Sequence, residues 1–181
     1  TNGNICVTSA GETFQTYTLN TGLNDTDYNF VWYDNTGLVI LGETSSTYEV
    51  ITAGTYSVIA THTASGCSSV SVSATVTSTT PATAMTTMVS NAFTDNATIV
   101  VTATGGNGTL LYQLDQGAYQ ESNVFTGVSG GVHEVTVIDS DGCTFLRENV
   151  TVIDYPKYFT PNGDGINDTW NITAITQADA K

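Results

Sequence analysis

Oxygen-bearing residues recur at short intervals near the C-terminal end of the chain, in the spacing of a calcium-binding loop. Hard cations such as Ca²⁺ need several oxygens that converge on one point, and a glycine in the run permits the turn that this requires. An Asx turn, in which Asn and Asp side chains bind their own backbone, explains the same residues without metal. A calcium site and a metal-free turn are therefore both predicted here as alternatives. The candidate ligands are Thr160, Asn162, Asp164, Ile166 and Asp168.

The three cysteines form an odd set that cannot be fully paired. Cys6 and Cys67 fall within one predicted domain, so they are the expected disulfide. Closing a loop of that length stabilises a fold by about 4 kcal/mol in the loop-entropy treatment. Cys143 is then predicted to be a small buried hydrophobic residue, with a reactive thiol as the alternative.

The other residue types form no catalytic or zinc-binding pattern. His62 and His133 are the only histidines, they belong to different predicted domains, and neither stands near a nucleophile in a strained turn. The glycine-rich run at 105–108 lacks the lysine and the helix that a phosphate-binding loop needs. We therefore predict a protein that is not an enzyme and requires no cofactor, with calcium as the candidate ion.

The charge of the chain excludes two classes of partner. The 181 residues carry a net charge of −14, and no lysine or arginine precedes Arg147. Nucleic acids and anionic membrane surfaces both attract a basic face, and none can be assembled here. The acidity is interpreted as a solvated, self-repelling surface, with cations or basic surfaces as the alternative partners.

Composition and patterning predict an all-β fold. β-branched and aromatic residues alternate between Gly and Asn turns, and only 11% of the residues are charged. Seven strands are expected in the first part of the chain, at 4–7, 13–19, 28–33, 38–41, 47–50, 55–61 and 70–76. This number of short strands is typical of an immunoglobulin-like β-sandwich. Trp32 is expected to pack in its core, and Tyr56 to anchor a corner through its hydroxyl group.

The strand rhythm repeats after a predicted linker at 77–84, which contains Pro81. Five more strands are expected at 98–103, 110–114, 123–125, 133–138 and 148–153. Residues 130–143 parallel 53–67 with spacing that differs by one residue, which indicates two copies of one sandwich plan. In this alignment His133 takes the place of Tyr56, so the tyrosine anchor is expected to be absent from the second copy.

Three domains follow from these patterns. The predicted architecture is a tandem of immunoglobulin-like β-sandwiches at 1–79 and 80–154. The first strands of an incomplete β-rich domain then follow at 155–181.

The text YPKYFTPNGDGINDTW at 155–170 closely resembles the opening of the type B, gliding-motility-associated C-terminal sorting domain of the Bacteroidetes type IX secretion system. The second domain resembles an SprB-type repeat in TGG at 104–106, LYQLD at 111–115 and VTVIDSDGCT at 135–144. The first domain resembles the immunoglobulin-like or PKD-like modules found beside such repeats. The resemblance implies export to the cell surface, attachment to the bacterial outer membrane, and outer-membrane proteins of the PorP/SprF family as partners.

The function expected from this resemblance is the C-terminal region of a secreted adhesin, of a kind that some bacteria use in gliding. It would serve as a stalk and as the export and attachment signal, and its ligand would be an unknown surface or glycan. The tail is too short to bury its aromatic side chains alone, which predicts a docking surface. The docking residues are Tyr155, Tyr158, Phe159 and Trp170. The alternative function is a carbohydrate-binding or accessory module of a secreted hydrolase.

Overall fold

The computed structural model describes residues 1–154, 160–164 and 168–169. The chain divides into two compact units, Thr1–Pro81 and Ala82–Lys181. The expected boundary at 79/80 lies two residues before this division. The described residues form β-strands, turns and loops without a helix, so the expected all-β fold is confirmed. Within this part of the chain, no helix has the length and apolar character needed to cross a bilayer.

The first unit is a sandwich of a wide and a narrow sheet. The wide sheet has the strand order β2-β1-β7-β6-β4, and the narrow sheet consists of β3 and β5. β1 pairs with β7 in parallel, and the other pairs are antiparallel. The strands are β1 (Gly3–Val7), β2 (Thr13–Gln15), β3 (Tyr17–Asn20), β4 (Tyr28–Tyr33), β5 (Thr47–Val50), β6 (Gly54–His62) and β7 (Val72–Thr79).

The structure corrects one predicted strand of this unit and divides another. The segment 38–41 is not a strand, because Tyr33 and Val39 form only an isolated bridge. Gly37 and Gly42 flank this segment with positive φ angles of 82° and 89°, so the backbone turns before a ladder can extend. The segment 13–19 divides into β2 and β3, which belong to different sheets.

Alternation along the strands places large side chains in the core of the first unit. On β4, Phe30 and Trp32 point inward and are 2% and 3% exposed, while Val31 between them faces outward. The core position predicted for Trp32 is confirmed. Its indole Nε1 donates a hydrogen bond to the Ser45 carbonyl oxygen at 2.8 Å, which satisfies the one polar atom of this buried ring.

The second unit is a sandwich of two equal sheets. The strand orders are β10-β12-β13 and β11-β9-β8, and all pairs are antiparallel. Its core consists mainly of β-branched residues, among which Ile99, Val101, Val135 and Val137 are fully buried. The strands are β8 (Ala82–Val89), β9 (Ala97–Gly105), β10 (Leu110–Leu114), β11 (Val124–Val128), β12 (Gly131–Asp139) and β13 (Phe145–Val152).

The linker predicted at 77–84 is wrong. β7 continues to Thr79 and β8 begins at Ala82, so only Thr80 and Pro81 stand between the two strands. Pro81 precedes the first residue of β8, where the missing N–H removes no bond from the ladder. β8 itself was not among the predicted strands.

Candidate functional site

The disulfide predicted between Cys6 and Cys67 is wrong. Cys6 is fully buried on β1 and is disulfide-bonded, whereas Cys67 is a free thiol in the exposed connection between β6 and β7. The expectation of an unpaired Cys143 is wrong as well, because Cys143 is a disulfide-bonded cysteine. A shared domain does not bring two cysteines within bonding distance, since a disulfide requires close and correctly oriented Cβ atoms.

The corner of the first sandwich is anchored as the sequence predicts. The Tyr56 hydroxyl donates a hydrogen bond to the carbonyl oxygen of Thr52, four residues upstream, at 2.6 Å. Tyr56 is 7% exposed, and burial raises the pKa of its phenol above the ordinary value of 10.0. The hydroxyl therefore keeps its proton, and its hydrogen bond, across the physiological pH range.

The second sandwich has an anchor at the equivalent position, contrary to the prediction that it would lack one. His133 Nε2 lies 2.8 Å from the carbonyl oxygen of Ser129, which is again four residues upstream. The other ring nitrogen, Nδ1, lies 2.9 Å from Oδ2 of Asp115. Histidine thus replaces tyrosine as the donor to the corner and gains a second partner. Only 12% of its side chain is exposed.

Asp115 joins this corner to the neighbouring strand. It directly follows β10 and has a positive φ of 53°, which aspartate tolerates better than most residues. Its Oδ1 accepts a hydrogen bond from the Glu134 N–H at 2.9 Å, and its own N–H donates to the Glu134 carbonyl oxygen at 2.7 Å. The carboxylate therefore binds the backbone and the histidine ring of β12 at the same time.

The electrostatics of the pair favour two charged partners. Burial alone lowers the pKa of His133, but the hydrogen bonds to Asp115 and Ser129 and the charge of Asp115 outweigh it, so the pKa lies above 6.5. The hydrogen bond from His133, followed by that from the Glu134 backbone, lowers the pKa of Asp115 below 3.8. Both shifts indicate that the pair stabilises the folded second unit in its ionised form.

A partly open cleft of about 240 Å³ lies in the first unit. Because the narrow sheet has two strands, it leaves part of the wide sheet's inner face uncovered. Trp32, Tyr56 and Val72 contribute to the walls of the cleft, and Val72 is 58% exposed to solvent. The cleft is thus mainly apolar, with a few hydroxyl and amide groups. The remaining lining residues are Thr1, Leu19, Asn20, Thr21, Leu23, Val58, Ala60, Ser69, Ser73 and Ala74.

The described part of the candidate calcium loop has the hydrogen bond of an Asx turn, because the Asp164 N–H donates to Oδ1 of Asn162 at 3.3 Å. Asn162 Nδ2 donates to Oδ2 of Asp164 at 2.8 Å, and the Gly163 N–H donates to Oδ1 of Asp168 at 2.7 Å. Thr160 is exposed, and its carbonyl oxygen accepts from the Asn162 N–H at 2.8 Å. Ile166 lies outside the described residues. Calcium binding by this loop stays a prediction.

The tail aromatics Tyr155, Tyr158, Phe159 and Trp170 lie outside the described residues. Among the residues the structure describes, no group of three His, Cys, Asp or Glu side chains could hold a metal ion.

The segment 139–142 is a hairpin turn between β12 and β13, in which Oδ1 of Asp139 accepts hydrogen bonds from the N–H groups of Asp141 and Cys143.

One serine and one histidine do meet, in the exposed turn after β6. The Ser65 hydroxyl lies 3.1 Å from His62 Nδ1. The Ser65 N–H donates to the same nitrogen at 3.3 Å, and the Cys67 N–H donates to the serine oxygen at 3.3 Å. These bonds close the turn, so the two side chains act as turn-forming groups.

Neither the known protein-family profiles nor the curated protein sequences contain a match to this chain. A solved structure described as a mouse coronavirus receptor-binding domain complexed with its murine receptor matches at 12% identity and a TM-score of 0.51, over 82% of this chain and 94% of that one.

Two further structures are more distant. The C-terminal fragment of intimin, in complex with the intimin-binding domain of the translocated intimin receptor, has 17% identity and a TM-score of 0.41 over 87% of this chain and 66% of that one. Domains 3 and 4 of rat CD4 have 11% identity and a TM-score of 0.28 over 84% of this chain and all of that one. Of these three, the first supports the fold, and at its low identity it supports the fold alone.

Both units therefore have an immunoglobulin-like fold. Many cell-surface domains share this sandwich architecture. The described residues bring together no nucleophile, base and orienting group in one cleft. One signal was missed in the sequence: Tyr56 and His133 each bind the carbonyl oxygen of the residue four positions upstream.

Proposed function

We propose that this chain is the C-terminal region of a secreted cell-surface adhesin. The two sandwiches act as stalk modules, and the tail acts as the signal for type IX export and attachment to the outer membrane. The observation that carries the proposal is the tail sequence at 155–170 directly following two immunoglobulin-like units. Proteins of the PorP/SprF family are the proposed partners of the tail.

Three properties of the described residues support a structural role for the sandwiches. Each unit has its own buried core, so each can serve as a separate module. The net charge of −14 favours solubility and opposes self-association of an exposed stalk. The polar groups of both corners are hydrogen-bonded within their own unit and leave no reactive arrangement exposed.

The test is a double substitution in the tail of the full-length protein, expressed in its own bacterium. Phe159→Ala with Trp170→Ala removes two aromatic rings that would dock to the outer-membrane partner. We expect surface display, measured by antibody labelling of intact cells, to fall to background while the protein accumulates inside the cell. Circular dichroism of the purified chain should show an unchanged β spectrum.

A matched control removes two aromatic rings from the sandwiches. Phe14 and Tyr119 are 53% and 42% exposed, so Phe14→Ala with Tyr119→Ala changes the same side-chain chemistry outside the tail. This variant should be displayed normally. Normal display of the tail variant, or equal loss in both variants, would contradict the proposal.

A further inference from the structure

The ring of His133 contacts two oxygens that can only accept hydrogen bonds. Nε2 faces the Ser129 carbonyl oxygen at 2.8 Å, and Nδ1 faces the Asp115 carboxylate at 2.9 Å. A carbonyl oxygen and an ionised carboxylate both lack a proton to donate. Both ring nitrogens must therefore carry hydrogen for both bonds to exist, and only the imidazolium cation meets that condition.

The two bonds connect three segments of the second unit. Ser129 lies in the connection between β11 and β12, Asp115 follows the end of β10, and His133 lies near the start of β12. Asp115 also binds the backbone of Glu134 through both its carboxylate and its N–H. The protonated ring thus completes a network that holds a loop and a strand end against β12.

Among the charged groups around the ring, Asp115 is the one that contacts it. Asp115 directly follows β10, and on β13 the residue opposite His133 is Val150, which carries no charge. The neighbouring Glu134 on β12 pairs with Arg147 of β13 at 3.5 Å, and Glu148 of β13 stands opposite Val135. From the β11–β12 connection, the contact is the Ser129 carbonyl oxygen. Of these charges, Asp115 is the one that acts on the pKa of the ring.

We propose that His133 is a proton-operated latch of the second unit, closed as the imidazolium and released at one of its two bonds when the ring becomes neutral. A neutral imidazole has one N–H, so either Ser129 or Asp115 then faces a nitrogen lone pair. The connection between β11 and β12, or the end of β10, then loses one of its hydrogen bonds to β12.

The direction of the pH dependence follows from the two partners. Because the pKa of His133 is raised in the folded chain, its contribution to stability is complete below the unfolded value of about 6.5 and is lost as the pH rises through the folded value. Because the pKa of Asp115 is lowered, its contribution is present above about 3.8 and is lost as the pH falls through the folded value. The latch is therefore closed in mildly acidic solution and opens on the alkaline side.

The experiment uses nuclear magnetic resonance on the unaltered chain. The titration of His133 is followed through its ring nitrogens. We expect two N–H signals from His133 in acid and a pKa above 6.5, the ordinary value of histidine. Over the same titration, the hydrogen-exchange protection of the Glu134 N–H, corrected for the intrinsic rate, should fall about tenfold, the ratio that one charge-assisted hydrogen bond supports.

Two variants separate the latch from a general effect of pH. His133→Gln has no titrating ring, so the protection of Glu134 should become independent of pH in the neutral range. Asp115→Asn should lower the pKa of His133, because the ring loses the charge of its partner. Constant protection of Glu134 in the unaltered chain while His133 titrates would overturn the proposal, as would a single ring N–H in acid or a pKa of His133 at or below 6.5.

Discussion

The two units build related sandwiches from different side chains and different sheets. The first packs the rings of Phe30, Trp32 and Tyr56 between a five-stranded and a two-stranded sheet. The second packs β-branched residues between two three-stranded sheets. In the second unit, sheets of equal width cover each other mainly with side chains of medium size. In the first unit, the sheets are unequal in width, large rings fill the core, and a cleft remains at the uncovered part of the wider sheet.

The largest expected effect that separates the units is the loss of the central ring of the first. Trp32→Ala should destabilise the first unit by about 3–5 kcal/mol, because a cavity replaces a buried indole and the Ser45 carbonyl oxygen loses its donor. Hydrogen exchange read by mass spectrometry reports each unit separately. We expect faster exchange in peptides of the first unit and unchanged exchange in peptides of the second.

The reciprocal change tests the independence of the two cores. Ile99→Ala should destabilise the second unit by about 2–5 kcal/mol, since Ile99 is fully buried between its two sheets. The exchange pattern should then be reversed. If either substitution loosens both units equally, the two cores are not separate cooperative structures.

A smaller effect distinguishes the two corners. Tyr56→Phe removes one hydrogen bond and keeps the ring, so the first unit should lose about 0.5–1.5 kcal/mol. The loss should be the same at every pH from mildly acidic to mildly alkaline, because the pKa of Tyr56 lies above 10.0. Denaturant unfolding across that range measures it. A loss that varies with pH would remove the contrast with His133.

The smallest expected effect separates an open face from a closed one. Ala74 lines the cleft, so Ala74→Val adds methyl groups to empty space and should stabilise the first unit by about 0.5 kcal/mol. Ala103 packs against the closed core of the second unit, where the same change should destabilise by about 1 kcal/mol through overpacking. Thermal unfolding of the two variants compares the signs. Destabilisation by both substitutions would show that the cleft has no spare volume.

Much of the fold follows from residue patterns because alternating side chains have to face a core. The strands Tyr28–Tyr33, Thr47–Val50 and Leu110–Leu114 were predicted at their observed bounds for this reason. β8 was missed because Ala82–Val89 contains mostly Ala and Thr, so its inward face has little apolar contrast with its outward face. Pro81, directly before β8, also favoured the wrong prediction of a linker.

At the two corners, the sequence predicts one anchor correctly and misses the other. Tyr56 could be recognised because a tyrosine before a strand centre is a known anchor of sandwich corners. His133 was expected to end that role because it is not a tyrosine, although its ring nitrogen can donate the same hydrogen bond. The contact of Asp115 with His133 could not be predicted, since it depends on a positive φ angle that the sequence does not reveal. The predicted cysteine pairing was wrong because two cysteines of one domain need not lie close together in space.

The parallel ladder between β1 and β7 determines how the first unit meets mechanical load. Gly3 stands opposite Val76 and Cys6 opposite Thr79, so the first and last strands of this unit run side by side in the same direction. A force that pulls the two ends of the first unit apart slides β1 past β7. The hydrogen bonds between these strands are then loaded in shear and have to break together. In the second unit the first and last described strands, β8 and β13, belong to different sheets and share no ladder. The parallel ladder is therefore the part of the first unit that opposes separation of its two ends under force.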